Sequence, residues 1–105
     1  MRLLGTGLLT ALIDRETNNN PRQGKTLRGA LRAWRAVVRH AKWKKTTDVK
    51  EQFGNADPIG NNRMVFNVCG NKYRLVVLFN YVVPVARVRF AGTHKEYDSV
   101  DVKTV

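Results

Sequence analysis

The chain has 105 residues, 43% of them hydrophobic, with 19 Lys and Arg against 8 Asp and Glu and a formal net charge of +11. That length and hydrophobic content predict one domain over residues 1–105 and exclude general disorder. No apolar run approaches the roughly 20 residues of a membrane span, and the single cysteine, Cys69, excludes an internal disulfide and a multi-thiolate metal site.

The stretch Met1-Arg2-Leu3-Leu4-Gly5 is too short and too soon interrupted by charge for a secretory signal. It reads as a short edge strand, and the lone cysteine fits a reducing, cytoplasmic setting. A first helix is expected over about Leu8 to Thr17, with Leu8, Leu9, Leu12 and Ile13 on one side. Asn18-Asn19-Asn20-Pro21 breaks it. A second helix is expected from Pro21 or Arg22 to Lys42. Its apolar seam of Leu27, Leu31, Trp34, Val38 and Ala41 steps by 4, 3, 4, 3. Arg28, Arg32, Arg35, Arg39 and Lys42 step the same way beside that seam, and Lys25 lies one turn earlier. The stripe should run about 25 Å at 1.5 Å per residue. From Arg22 to Lys45 there are nine Lys and Arg and no acid. A solvated helix face usually mixes signs at four-residue spacing, so this stripe calls for an anionic partner.

Thr47 to Phe53 is expected to be a strand, and Gly54 to Asn62 a loop by composition. Gly70-Asn71 between two β-rich runs signals a two-residue hairpin. Setting Cys69 opposite Lys72 pairs Val68 with Tyr73, Phe66 with Leu75, and Met64 with Val77, all apolar or aromatic. The other face takes Asn67 with Arg74, Val65 with Val76, and Arg63 with Leu78. A last strand, Val85 to Ala91, should point Ala86, Val88 and Phe90 at the core. Arg63, Lys72, Arg74, Arg87 and Arg89 would then share one open face without an interleaved carboxylate. Thr93-His94-Lys95-Glu96 matches a capping box, with Thr93 as N-cap and Glu96 three residues on. A helix over about Thr93 to Val100 would carry His94 and Tyr97 on one side. An α-rich half followed by a β-rich half predicts an α+β fold.

The segments Val65-Phe66-Asn67-Val68, Gly70-Asn71-Lys72-Tyr73-Arg74-Leu75-Val76 and Thr93-His94-Lys95-Glu96-Tyr97-Asp98 resemble the HigB family of bacterial toxins in the RelE-like superfamily. The resemblance is strongest from about Arg63 to Asp98. It implies two N-terminal helices packed on one face of a small, mainly antiparallel sheet, with a short C-terminal helix. It also implies the toxin of a type II toxin–antitoxin pair: an mRNA interferase, mostly ribosome-dependent, that inhibits translation. The implied partners are mRNA, the ribosome and a HigA-like helix-turn-helix antitoxin, with operator DNA contacted only through the antitoxin and no membrane involved. By position, Arg74 matches the catalytic-face arginine of RelE-like toxins. His94 falls where many relatives carry a second arginine, and Tyr97 lies near their C-terminal tyrosine. RelE-type toxins carry a lysine pair on the strand before the hairpin, whereas the matching positions here hold Val65 and Asn67.

RNA can be cut by its own 2′-hydroxyl, given a base, an acid and positive charge around the phosphorane-like transition state. His94 is the natural proton handler, since an imidazole titrates at about 6.5. Arg74 and Arg89 are the expected charge stabilisers, because guanidinium grips phosphate oxygens in pairs. Tyr97 would stack on a base or orient the phosphate, and Asp98 would orient the histidine or support the helix N-terminus. His40 joins only if the end of the second helix reaches the sheet. Arg63, Lys72, Arg87, Lys95, Arg28, Arg32, Arg35 and Arg39 are expected RNA contacts, the helix stripe competing between RNA and an acidic antitoxin segment. No carboxylate or His/Cys cluster suggests a metal, so no metal or other cofactor is expected. The rival reading is a non-catalytic basic RNA/DNA-binding module, which explains the charge equally well.

Overall fold

A computed structural model describes residues 1–105. The elements in chain order are β1 (Arg2–Leu4), α1 (Gly7–Asn19), α2 (Pro21–His40), α3 (Thr46–Gln52), β2 (Ala56–Gly60), β3 (Arg63–Val68), β4 (Tyr73–Asn80), β5 (Val85–Thr93) and α4 (His94–Asp98). The strands form one sheet in the order β1-β5-β4-β3-β2. All neighbours are antiparallel except β1, which runs parallel to β5 at the edge. The fold is therefore the expected α+β arrangement.

Asn20 both ends α1 and starts α2. Its backbone N–H donates to Glu16 O, and its side chain accepts from the Gln23 N–H at 3.2 Å. Pro21 takes the first helical position, where a missing N–H costs nothing. The two helices touch closely where Gly24 meets Thr17; a Cβ at Gly24 would overlap the Thr17 side chain. The predicted seam is the buried one, with Leu27, Leu31, Trp34 and Val38 at 4% exposure or less.

The β3–β4 register is the predicted one throughout, from Val68↔Tyr73 to Arg63↔Leu78. In the connecting turn Cys69 and Gly70 both have positive φ, +54° and +68°; the Lys72 N–H donates to Cys69 O at 3.4 Å, and the ladder stops at Val68↔Tyr73, short of the expected Cys69–Lys72 pair. Met64, Phe66, Val68, Tyr73, Leu75, Val77 and Phe79 pack under α1 and α2. Trp34 meets the Phe66 ring edge-on at 5.5 Å. Such contacts add about 0.5–1.5 kcal/mol to the area each ring buries.

Three expectations fail locally. The strand expected over Thr47 to Phe53 is helix α3. Val49 and Phe53 are four residues apart, so they share one side of a helix as well as alternate positions of a strand. Asp48 in the first turn accepts the Lys44 N–H at 2.9 Å, and Val49 is fully buried. The loop expected over Gly54 to Asn62 contains strand β2. Asn61 and Asn62 have φ +53° and +60°, the type I′ pattern that joins two strands tightly. Pro58 is accommodated because β2 is the sheet edge. Finally, β5 carries a bulge. Val77 pairs with Val88 but Val76 pairs with Phe90, leaving Arg89 as the extra residue. Alternation breaks there, so Phe90 leaves the core face it was expected to share with Ala86 and Val88.

Candidate active site

The face of the sheet away from α1 and α2 carries the expected chemistry, and α4 folds over it. Its start is fixed by the predicted capping box. Thr93 Oγ1 accepts the Glu96 N–H at 3.2 Å, and Glu96 Oε1 accepts the Thr93 N–H at 2.9 Å. The His94 N–H donates to Lys72 O at 3.0 Å, which ties the helix to the end of β4. Arg15 of α1 grips Glu96 with two bonds, Nη2 to Oε1 at 2.6 Å and Nη1 to Oε2 at 2.9 Å. Thr93's backbone N–H, then Arg15, hold the Glu96 carboxyl below its usual range against the opposing effect of burial. At the same end Tyr73 donates to Glu16 Oε1 at 2.6 Å; burial, then that bond, push its phenol up to about 12.

This scaffold aims Tyr97 across the sheet. The Arg74 guanidinium carbon lies 4.7 Å from the Tyr97 ring centre, and Phe90 meets the same ring edge-on at 6.2 Å. A cation over an aromatic face is held by the ring quadrupole. Gly92, opposite Arg74 in the ladder, leaves room for the Phe90 ring; a Cβ there would stand 2.7 Å from Phe90 Cζ. His94 lies one helical turn before Tyr97, with Nδ1 3.6 Å from Asp98 Oδ2. That is ion-pair distance rather than a hydrogen bond.

Two polar atoms at this site have no partner. Arg74 Nε and Asn67 Oδ1 are both buried and unbonded, and the two residues face each other across β3 and β4. Asn67 Nδ2 donates to Asn55 O at 3.3 Å, which fixes the amide with its oxygen free. An unmatched donor and an unmatched acceptor thus sit on neighbouring strands, shut off from solvent. Leaving such a group unsatisfied costs about 1–3 kcal/mol.

The expected open face of five cations is only partly assembled. Arg74 reaches the site. Lys72 instead turns to α2 and donates to Gln23 Oε1 at 3.2 Å. Arg63 stands at the far end of β3, donating to Val105 O from Nε and Nη2 at 3.1 and 2.9 Å. Arg87, opposite Leu78, and Arg89, in the bulge, are exposed and unbonded. The face is also not open. Val65 and Val76 are 7% and 0% exposed yet lie outside the main core, beneath α4 and the residues that follow it. That segment is held at Asn61, which donates to Lys103 O at 3.1 Å, and at Arg63. A seven-residue tail after α4 gave no periodic signal, so sequence reasoning left that face bare.

Lys95 is exposed on α4. Arg28, Arg32, Arg35 and Arg39 follow α2 on the opposite side of the sheet. His40 is remote from His94: it bonds Ala36 O at 2.9 Å and lines a cavity with Met1, Tyr81 and Pro84 at the other end of the strands. Sequence reasoning missed Asn67 and Phe90. The register already set Asn67 opposite Arg74, which was the available signal; the bulge that turns Phe90 over had none. No three His, Cys, Asp or Glu side chains converge anywhere in the chain, and no helix is long and apolar enough to cross a membrane.

No individual curated protein matches the chain. A family does: residues 27–100 match the HigB toxin family, described as the RelE-like toxic component of a toxin–antitoxin system. The match covers the second helix from Leu27 onward, the antiparallel strands and the capped turn that carries His94 and Tyr97, and the chain belongs to this family of RelE-like toxins.

Proposed function

We propose that this toxin is a metal-independent endoribonuclease that cuts mRNA on the translating ribosome. The observation that carries the reading is the Arg74 guanidinium held over the Tyr97 ring, one helical turn from the His94–Asp98 pair. In the proposed reaction the 2′-hydroxyl attacks the adjacent phosphorus and loses its proton to His94. The 5′-oxygen of the next nucleotide leaves and takes up a proton, giving a 2′,3′-cyclic phosphate and a 5′-hydroxyl. Arg74, partly exposed, offers its guanidinium N–H groups to the negative charge that grows on the phosphoryl oxygens. Arg89, exposed on the bulge of β5, adds a second cation at the rim. Tyr97 stacks on a base or orients the phosphate, and Asp98 orients the imidazole. Arg63, Lys72, Arg87 and Lys95 attract the strand through long-range charge. A helix-turn-helix antitoxin of the HigA type is the proposed protein partner, and the cytoplasm the proposed compartment.

The test is induction of the chain alone in a bacterium with RNA ends mapped. Growth arrest with new mRNA ends is expected, and a His94→Ala plus Arg74→Ala variant should spare both. Cleavage should persist in excess chelator. Intact RNA and normal growth with soluble, folded protein would overturn the nuclease reading; loss of cleavage in chelator, restored by magnesium, would overturn its metal-free form.

A further inference from the structure

The long basic stripe lies away from the site just described. α2 packs its apolar seam on the helix side of the sheet, whereas Arg74 and Tyr97 occupy the other side. Between α1 and α2 runs a groove of about 490 Å³, lined on the α2 side by Arg28, Arg32, Arg35 and Arg39. Ile13 and Leu31 close its base from the core, and Ala36 is the exposed apolar residue of its lining. From Arg28 to Arg39 the row spans about 16 Å along the helix axis, roughly three turns.

These four guanidiniums are almost unused within the chain. Arg28, Arg32 and Arg39 make no side-chain hydrogen bond or ion pair. Arg35 makes one long contact, Nη2 to Thr6 O at 3.5 Å, and its buried Nε has no partner. A row of like charges repels itself, so leaving it uncompensated costs stability. An anionic occupant would relieve that repulsion.

We infer that the α1–α2 groove is the docking site for an acidic, amphipathic helical segment of a protein partner. Two features favour a protein over an RNA strand. The groove's lining includes the exposed Ala36 and the aliphatic stems of the arginines, which a row of phosphates leaves unmatched and a helix with one apolar edge covers. Its α1 wall also carries Asp14, which is within ion-pair distance of no cation. Every nucleotide of a strand lying there brings a negative charge toward Asp14. A peptide places carboxylates against the arginines and a neutral or basic residue against Asp14. The α1 wall lies outside the residues matched to the toxin family, and the inference does not depend on the nuclease reading. A partner seated here leaves the Arg74–Tyr97 face uncovered.

The experiment measures binding to the full chain by fluorescence anisotropy with three labelled probes. One is an 18-residue peptide with Glu along one helical face and Leu along the adjoining edge. The second is a scrambled peptide of identical composition, and the third an 18-nucleotide single-stranded RNA. The amphipathic peptide should bind the parent and lose at least tenfold in affinity in R32Q/R35Q. Ala36→Glu, which sets an exposed acid beside Arg32 and Arg39 without replacing an arginine, should weaken it similarly. RNA affinity should stay within about threefold in both variants, and RNA should not displace the peptide. Equal binding of the scrambled peptide, unchanged peptide affinity in both variants, or loss of RNA rather than peptide would each overturn the inference. The last result would make the groove a nucleic-acid surface.

Discussion

On the helix side of the sheet, Met64, Phe66, Val68, Tyr73, Leu75 and Val77 are nearly inaccessible to water and share one core with α1, α2 and α3. On the α4 side the same strands present Asn67, Arg74, Val65 and Val76, covered by five helical residues and a short tail. The first face has aromatic edges packed on one another, and its unbonded buried polar atoms, Trp34 Nε1 and Arg35 Nε, belong to α2 rather than to the strands. The second keeps a donor and an acceptor unmatched at its centre. Strands that alternate can assign stability to one face and chemistry to the other. The unmatched groups are affordable because the opposite face supplies the folding energy.

The largest expected contrast is in stability. Phe66→Ala should cost about 3–5 kcal/mol, the range for removing a buried ring. Phe90→Ala should cost less than half as much, because Phe90 touches Tyr97 on the thinly covered face. Urea denaturation midpoints for both variants check this, and equal losses would break the division between the faces. In the proposed reaction the contrast reverses. His94→Gln should lower the saturated cleavage rate by about 10²-fold or more, the scale of general acid–base loss, with RNA affinity and stability nearly unchanged. A rate within a fewfold of the parent would make His94 a helix-start residue only and leave the chemistry to Arg74, Arg89 and Tyr97.

Two smaller effects test how α4 is held. Glu96 has a lowered carboxyl pKa, so its charged form is favoured by folding. Its contribution is complete above the unfolded value of 4.5 and is lost as pH falls through the lowered folded value. Stability of the parent should therefore decline below about pH 4.5, and Glu96→Gln should flatten that decline. Tyr73 has the opposite sign. Its phenol is raised to about 12, so the neutral form is favoured and its contribution is lost as pH rises from 10 toward 12. Tyrosinate absorbance should show this late ionisation. Glu16→Gln should bring it earlier without restoring the ordinary value, because burial is the larger cause.

Much of the fold was legible because it rests on local periodicity. The 4, 3, 4, 3 seam of α2, the β3–β4 register and the Thr93–Glu96 capping box each follow from residues a few positions apart, and each is present as read. Where one spacing serves two structures, the sequence misled. Val49 and Phe53 fit strand and helix equally, and packing of Val49 into the core decides for α3. Asn61-Asn62 did carry a turn signal, but β2 exists only because β3 offers an unpaired edge to a strand containing Pro58.

Of the candidate site, the sequence by itself determined the residue types and their order: an arginine three residues past the Gly70-Asn71 turn, and a histidine and tyrosine one turn apart on a capped helix. Only the tertiary structure decided which of them meet. A bulge is one extra residue in a ladder, set by how two strands fit rather than by either strand alone. It turned Phe90 over to Tyr97 and set Arg89 outside the register. The salt bridge that anchors α4 joins Arg15 to Glu96, 81 positions apart, and no local pattern encodes such a pair. The separation of Lys72, bonded to α2, from Arg74, held over Tyr97, has the same origin. Both cations were visible in the chain, but their partners come from different layers of the fold.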